Sequence, residues 1–333
     1  LNSNYHLLPK NIFLKKIILF INLKILKKIR IILSLFYNLK FNLSNPSHHD
    51  IIILDDFDFY ILSNIFSKKN YFILPTRTER IKEIYLSKKI LLCFVKNFFK
   101  RSLKLNYLCS LIEVIRPKTI VTIIDNSAEF FKIAKTFQNK NIKFIAIQRA
   151  NRVITDFKNK HLYIPNYFVL GDREVEISRN YSKNISKIKS IGSLVATSAK
   201  RYFEKNNTQI KENLYDICLC ADTHLILNSD FSHIGNVADH LGLIANHTMK
   251  FCKKYEKKFI ISGKSDVNSE RKPAEILFYK NLVKDHDFNI SFHKKSEFGN
   301  FKNIIMSKLI IGMTSTMLRE AFEFKRKILW CDF

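Results

Sequence analysis

A run of small residues joins a strand-like segment to a helix-like segment near the end of the chain. The sequence GMTST, which contains Thr314, Ser315 and Thr316, follows the apolar run Leu309–Ile311. Ser315 or Thr316 would cap the helix, and its first backbone N–H groups would then face outward at the positive end of the helix dipole. Such a helix start favours a phosphate. Glu320, one turn further, is placed to accept hydrogen bonds from ribose hydroxyls; the alternative is a capped helix with an exposed acid and no ligand.

A second junction of this kind lies at Gly263 and Lys264, shortly after the apolar run Phe259–Ile261. Glycine lets the backbone approach a ligand closely, and a lysine neutralises phosphate charge. The sequence is not a Walker loop, because the spacing G-x-x-x-x-G-K-[ST] is missing. The pattern indicates a phosphate-binding element, with an ordinary turn as the alternative.

Polar side chains also follow other strand-like runs, where they could hold sugar hydroxyls. A carboxylate there could act as a base or a nucleophile, and a histidine could bind phosphate. The alternative is that Asp and Asn only cap the helices that follow. The candidate catalytic carboxylates are Asp125 and Asp222. The candidate binding residues of this set are Asn126, Gln148, Arg149, His224 and His293.

The elements that carry these residues alternate between strand and helix, and each strand-like run stops at a polar residue. This pattern is typical of parallel sheets with helices on both faces, in which ligands bind at the carboxyl ends of the strands. We predict strands at 51–54, 71–74, 119–124, 142–147, 167–170 and 187–191, and then at 216–220, 259–261, 289–292, 308–311 and 327–330. We predict a helical region from about 79 to about 115 and helices at 127–137, 239–255, 273–284 and 316–324, with residues 194–213 as an interdomain segment.

The series divides the chain into two halves. We predict an α/β fold with two Rossmann-like parallel-sheet domains that face a cleft, one at residues 47–195 and one at 196–333. Residues 1–46 precede them. Within 10–43 there are seven Lys, one Arg and no acid among Ile, Leu and Phe, a pattern typical of a basic amphipathic helix on an anionic membrane surface. The alternative is a domain helix. We expect both ends of the sequence to be cut from a longer product, with the second domain truncated.

Composition excludes several classes. Hydrophobic residues make up 47% of the 333 residues, which excludes a wholly disordered chain, and only 7 Gly and 6 Pro exclude collagen-like and linker-like classes. The net charge of +27 invites a nucleic-acid partner, but the lysines are scattered, so we expect solvated surface, an anionic membrane or a phosphate-bearing substrate instead. The six cysteines show no C-x-x-C pair and no zinc spacing, which predicts a reducing compartment and no structural metal. The sequence contains no uncharged apolar run of about 18 residues or more, so it predicts no transmembrane helix.

Five segments of the chain resemble bacterial surface-carbohydrate biosynthesis proteins (O-antigen and capsule) with the GT-B glycosyltransferase fold. They are TIVTIIDNSAEFF, IKFIAIQRANR, KIKSIGS, FIISGKSD and LIIGMTSTMLREAFEFKRKILW, in this order within residues 50–333. The last segment looks like the S-T…E-A element with which many GT-B enzymes hold the donor nucleotide. Among subgroups, the chain looks most similar to the retaining Kdo (3-deoxy-manno-octulosonate) transferases and their relatives.

This resemblance implies a glycosyltransferase that moves a sugar from a nucleotide sugar, with CMP-Kdo as a candidate donor, to a polysaccharide or lipopolysaccharide acceptor. It implies a donor in the second half, a glycan or glycolipid acceptor on the first, and no obligatory metal or cofactor. The implied location is cytoplasmic, at the inner face of a bacterial membrane. By the same resemblance Ser315, Thr316 and Glu320 would contact the nucleotide, Lys264 the phosphate, and Asp125 or Asp222 would lie nearest the anomeric carbon.

Two other functions stay open. A sugar-nucleotide epimerase on the same fold would use acid and base carboxylates and release a free sugar. A nucleic-acid-binding or scaffold protein would rely on charge alone, and its binding to polynucleotides would depend steeply on salt. We expect no nucleic-acid partner, because the sequence has no cluster of Arg with aromatic residues.

Overall fold

The computed structural model describes residues 40–66, 70–77, 80–221, 237–282 and 288–331. The candidates Asp222 and His224 lie outside the described residues, as does most of the predicted amphipathic helix. The last part of that predicted helix, Lys40–Asn42, is a strand instead (β1). It pairs in parallel with β4, Glu83–Tyr85.

The chain divides into two compact units. One comprises residues 1–56, 71–120 and 136–142, and the other comprises residues 57–70, 121–135 and 143–333. The boundaries that the sequence predicts for two domains, after residues 46 and 195, stay a prediction.

A six-stranded sheet follows the order β3-β2-β5-β6-β7-β8. Its pairs β2–β3, β6–β7 and β7–β8 are parallel, with Ile51 opposite Tyr71 and Ile164 opposite Ile185. Parallel neighbours need a crossover between them, which the intervening helices supply. The strands are β2 (Ile51–Leu54), β3 (Tyr71–Leu74), β5 (Thr119–Thr122), β6 (Lys143–Ile147), β7 (Ile164–Val169) and β8 (Ile185–Ser190).

A five-stranded sheet follows the order β11-β10-β9-β12-β13, and all of its pairs are parallel. Its strands include continuous apolar runs such as ICLC and LIIG. Such runs are typical of a parallel sheet whose faces are covered by helices. Cys218 and Cys220 are fully buried there, and all six cysteines are free thiols. The strands are β9 (Tyr215–Cys220), β10 (Phe259–Asp266), β11 (Asn289–His293), β12 (Ser307–Gly312) and β13 (Lys327–Trp330).

Helices connect the strands, as the alternating pattern predicts. Among the described residues, no helix has the length and hydropathy that a bilayer crossing needs. The helices are α1 (Tyr60–Phe66), α2 (Lys88–Lys96), α3 (Leu103–Ile115), α4 (Ala128–Thr136), α5 (Ile154–Phe157), α6 (Asp172–Tyr181), α7 (Leu194–Lys205), α8 (Val237–Lys254), α9 (Lys272–Leu282), α10 (Gly299–Ile305) and α11 (Thr316–Glu320).

Further sequence predictions about elements differ from the structure. The region 79–115 is not all helical, because β4 precedes α2 and α3. The interdomain segment 194–213 begins with α7, in which Val195, Ala199 and Phe203 are buried at a spacing of four. The helix predicted at 316–324 ends at Glu320, because turns follow it and Lys325 has a left-handed backbone with φ 53°.

The predicted loop at Gly263 and Lys264 is part of a strand. β10 runs to Asp266, and Gly263 packs against the ring of Phe292 on the neighbouring strand β11. A Cβ atom on residue 263 would lie 2.5 Å from that ring, closer than van der Waals contact permits. The Nζ atom of Lys272 lies over the face of this ring, 5.3 Å from its centroid. Close packing between strands therefore accounts for the glycine.

We expect Gly263→Ala to destabilise the protein by about 1–3 kcal/mol, because an added methyl group overpacks this contact. Chemical denaturation measures the change. The double variant Gly263→Ala/Phe292→Leu should recover part of the loss. Gly171→Ala is the control, since its Cβ would come no closer than 3.5 Å to a neighbour. Equal stability of Gly263→Ala and the wild type would contradict the packing argument.

Candidate functional site

Asp125 follows β5 and is almost completely buried. Its carboxylate accepts hydrogen bonds from Arg152, with Nε at 2.7 Å and Nη2 at 2.5 Å, and from the hydroxyl of Tyr167 at 2.6 Å. The backbone N–H of Arg149 lies 3.5 Å from Oδ1. Burial alone would lower the pKa of Arg152, but the hydrogen bond and the charge of Asp125 raise it overall.

This environment does not suit the catalytic role that the sequence predicts for Asp125. Both carboxylate oxygens already accept from a guanidinium, so the negative charge is neutralised and the lone pairs are used. The carboxylate instead ties the end of β5 to the loop after β6 and to Tyr167 on β7. We therefore assign Asp125 to positioning the loop that carries Arg149 and Arg152.

Gln148 also braces this loop. It is buried, its Nε2 donates to the carbonyl of Ala150 at 2.8 Å, and its Oε1 accepts from the backbone N–H of Leu170 at 3.0 Å. A side chain used in this way does not suit the predicted role in binding sugar hydroxyls. Asn126, the next predicted residue, is exposed.

Arg149 projects from the same loop toward α1. Its Nε and Nη2 donate to Oδ2 of Asp58 at 2.8 and 2.7 Å. Burial would lower the pKa of Arg149, but the negative charges of Asp58 and Glu320 raise it overall. Tyr60 shares this environment, and burial, then the charge of Asp58, raises the pKa of its hydroxyl to about 12.

Glu320, at the end of α11, lies in the field of Arg149. The acid is buried, contrary to the exposed acid of the alternative interpretation, and it accepts a hydrogen bond from the hydroxyl of Ser193 at 2.9 Å. Burial raises the pKa of Glu320, and the charge of Arg149, the Ser193 bond and the charge of Lys264 oppose that shift. The charges of two cations, carried by two different sheets, therefore act on one buried carboxylate.

Lys264 is held in place by a buried acid on α9. The carboxylate of Glu275, which is fully buried, accepts from the backbone N–H of Lys264 at 2.8 Å and from that of Ser265 at 3.0 Å. This clamp fixes the end of β10. The structure thus brings three of the predicted residues together, and we call Arg149, Lys264 and Glu320 the charged cluster.

Asn151 hydrogen-bonds to the predicted phosphate site at the start of α11. It donates from its backbone N–H to Oγ1 of Thr316 and from its side-chain amide to the carbonyl of Thr314, both at 3.3 Å. Ser315 occupies the N-cap position but makes no capping hydrogen bond with its side chain, which is buried. The helix has only five residues, so its dipole is small. A phosphate that bound the hydroxyl of Thr316 would compete with the N–H of Asn151 for that group.

His293 belongs to a separate hydrogen-bond chain. Its Nε2 contacts Oγ of Ser291 at 2.5 Å and Oδ1 of Asn303 at 3.4 Å, and Asn303 donates to Ser262 at 3.1 Å. Burial lowers the pKa of His293, which favours the neutral ring. Gly299 packs directly on the side chain, since a Cβ there would lie 2.1 Å from that of His293. The ring is used in packing and does not suit the predicted role in binding phosphate.

Several residues of this site were not found from the sequence. Asp58, Asn151, Arg152, Ser193 and Glu275 each hold a predicted residue in place. The only available signal was that Ser193 follows Ile191–Gly192 at the end of a strand-like run. Partners such as Asp58 and Arg149, 91 positions apart, leave no local pattern. Within the described parts of the chain, no group of three His, Cys, Asp or Glu could hold a metal ion.

No family model and no curated protein matches the sequence. Solved structures do. A UDP-GlcNAc 2-epimerase from Neisseria meningitidis, bound to UDP-GlcNAc, has a TM-score of 0.50 and 14% identity over 84% of this chain and 81% of its own. The S. aureus protein MnaA, solved with UDP, has a TM-score of 0.50 and 12% identity over 84% and 78%.

These two likenesses show the fold. The chain has two Rossmann-like parallel sheets of the GT-B type, which confirms the fold class that the sequence predicts. Neither structure is a Kdo transferase, so the likeness to that subgroup stays a prediction.

We expect Asp125→Asn to lower the free energy of unfolding by about 3–5 kcal/mol, because it leaves the guanidinium of Arg152 buried without its counter-charge. Tyr167→Phe, which removes one hydrogen bond and keeps the ion pair, should cost about 1.5–3 kcal/mol. Urea denaturation measures both values. An Asp125→Asn protein as stable as the wild type would contradict the positioning role.

We expect Glu320→Gln to stabilise the protein more at high pH than at low pH. The folded-state pKa of Glu320 lies above its ordinary value, so the proton is bound more tightly in the folded chain. That stabilisation is complete below the ordinary pKa and is lost as pH rises through the folded-state pKa. Gln never ionises and avoids the loss.

The measurement is the Tm of the variant minus that of the wild type, from about pH 4 to about pH 8. Glu323→Gln, at an exposed carboxyl group three residues further along the chain, is the matched control for the removal of one negative charge. A difference for Glu320→Gln that does not change with pH would contradict the shift.

Proposed function

We propose that this protein is an enzyme that binds a nucleotide sugar at the charged cluster and transfers the sugar to a glycan or glycolipid acceptor. The observation that carries the proposal is that the charges of Arg149 and Lys264, from two different sheets, both act on the buried carboxylate of Glu320, which also accepts a hydrogen bond from Ser193. Two cations and an acceptor of hydroxyl hydrogen bonds are the groups that a nucleoside diphosphate needs. The fold supports this use, since similar structures were solved with UDP-GlcNAc and with UDP.

The chemistry follows from charge. When a glycosidic bond to a nucleotide breaks, negative charge grows on the departing phosphate, and fixed cations stabilise it. The guanidinium of Arg149 has five N–H bonds, of which two donate to Asp58. Asp58 therefore orients the group toward the cluster while N–H bonds remain on it to meet a phosphate.

Glu320 would bind the ribose. Its carboxylate already accepts from one hydroxyl, that of Ser193, and a ribose hydroxyl forms the same type of bond. The proposal includes one movement, because the N–H of Asn151 donates to the hydroxyl of Thr316 and must release it before a phosphate can take its place.

A sugar-nucleotide epimerase is the second candidate, because both similar structures with a TM-score of 0.50 are of this kind or bind UDP. An epimerase needs carboxylates that exchange protons with the sugar. Asp58 and Asp125 both pair with arginines, so neither is placed to exchange a proton with a sugar. Asp222 lies outside the described residues and stays a candidate for the carboxylate in either reaction. The proposed reaction needs no metal and no cofactor. The proposed location of the protein is the cytoplasm.

The experiment is a thermal-shift titration with UDP, UDP-GlcNAc, CMP-Kdo and the GDP and CDP sugars. A ligand at about 100 times its Kd stabilises a folded protein by about 2.7 kcal/mol. We expect one nucleotide class to raise the Tm, and Glu320→Ala and Lys264→Ala to weaken its binding about tenfold, since each removes a charged partner. Lys253→Ala, an exposed lysine on α8, is the matched control.

Two further arms separate the outcomes. Asn151→Ala should bind the nucleotide more tightly, because it removes the side-chain hydrogen bond to the carbonyl of Thr314 and so weakens the attachment of the loop to α11. Product analysis with and without a glycan acceptor separates a transferase, which needs the acceptor, from an epimerase, which does not. If no nucleotide raises the Tm of the wild type, the proposal fails.

A further inference from the structure

Helix α2 and the turn after it expose an unusual set of large apolar side chains. Leu92 is 72% exposed, Val95 68% and Phe99 97%. Single exposed apolar residues are ordinary on protein surfaces, but a concentration of them marks an interaction site. The full set within residues 88–104 is Leu91, Leu92, Val95, Phe98, Phe99 and Leu103, and we call this segment the apolar-basic patch.

The helix itself is well formed, so the exposure is a property of the fold. The hydroxyl of Ser87 caps α2 by accepting from the backbone N–H of Ile90, and Ile90 is the residue that the helix buries. Phe98 lies between Phe94 and Phe99, with ring centroids 5.7 and 5.2 Å apart. The turn therefore presents a preformed aromatic group.

Cations surround these apolar side chains. The sequence has no Asp or Glu from residue 84 to residue 112, a stretch that holds six Lys and Arg. Five of these are exposed lysines within the patch: Lys88, Lys89, Lys96, Lys100 and Lys104. Long lysine side chains can lie along an apolar surface while their ammonium groups reach outward to negative charge.

The N-terminal segment reaches the described structure beside the patch. The backbone N–H of Lys40, where β1 begins, donates to the carbonyl of Lys82 at 2.8 Å, and Ser87 at the start of α2 donates to Asn45 at 2.6 Å. Residues 10–43 carry seven Lys, one Arg and no acid. Charges of the same sign disfavour this segment as a cover for the patch. A second copy of the chain is disfavoured as a cover for the same reason, because its own patch carries positive charge as well.

We propose that the apolar-basic patch docks this protein on the surface of an anionic lipid bilayer. Leucine, valine and phenylalanine side chains would enter the boundary between headgroups and acyl chains, and the lysines would meet the negative headgroups. This docking is interfacial, since α2 has only nine residues and cannot cross a membrane. The inference stands on exposure and charge alone, and it does not rest on the proposed sugar chemistry.

The test places a reporter at the centre of the patch. The chain has one tryptophan, Trp330, so Trp330→Phe gives a background without tryptophan fluorescence. In that background, Phe99→Trp should show emission at shorter wavelength with vesicles of phosphatidylcholine and phosphatidylglycerol, and no change with phosphatidylcholine alone. Phe322→Trp, at a side chain that is 67% exposed elsewhere in the chain, is the matched control and should not respond to either vesicle.

Co-sedimentation gives the second measurement. Leu92→Ser/Phe99→Ser should lower the partition coefficient on anionic vesicles about tenfold, and Leu277→Ser, at a side chain that is 58% exposed, should leave it unchanged. High salt should weaken binding of the wild type.

Three outcomes would overturn the proposal. Emission at position 99 that does not change while the protein still sediments with vesicles would assign binding to another segment, such as 1–39. Equal binding to neutral and anionic vesicles would exclude the role of the lysines. Self-association in solution that the double serine variant abolishes would assign the patch to a second copy of the chain.

Discussion

The carboxylate of Asp125 is the group on which the arrangement of the candidate site depends. It is buried, and it pairs with Arg152 and with the hydroxyl of Tyr167. These contacts join the end of β5 to the loop after β6 and to β7, and Gln148 braces the same loop. Arg149 and Asn151 lie on that loop, and each points to a different part of the site. A buried ion pair of this kind adds little net stability but is costly to break, so it favours one conformation of the loop.

Buried charges are balanced both between the two sheets and within each of them. Glu320 follows the five-stranded sheet, yet Arg149 of the six-stranded sheet and Lys264 of its own sheet both oppose its desolvation. Arg319 pairs with Glu174 in the same way, and the Oε2 atom of Glu174 has no hydrogen-bond partner within the described structure. Contacts within the unit that contains residues 143–333 thus depend on pairs of opposite charges. A purely apolar contact would need no such pairs. An anionic ligand that entered here would change the balance, which is why we place the nucleotide at this cluster.

The sequence was informative where local pattern decides structure. Apolar runs that stop at polar residues predicted the strands 51–54, 71–74 and 327–330 at their observed bounds. It was less informative where side chains 20 or more positions apart decide. The structure places Asp125, predicted to be catalytic, in an ion pair with Arg152, and it places Gly263, predicted to lie at a loop, in a strand against Phe292. Periodicity was obscured in α7 by its lysine and arginine residues, although its buried face has helical spacing.

The hydrogen bonds from Asn151 to Thr314 and Thr316 have a consequence for how tightly any ligand can be held. If the position is vacated only part of the time, the apparent Kd equals the intrinsic Kd divided by the fraction of molecules in which it is open. The measured affinity for the nucleotide would then be weak even if the nucleotide fitted the site well. The loop, and not the contacts between the nucleotide and the protein, would be the cause. A second molecule that drew the loop away would tighten binding without touching the nucleotide, so the two would bind cooperatively.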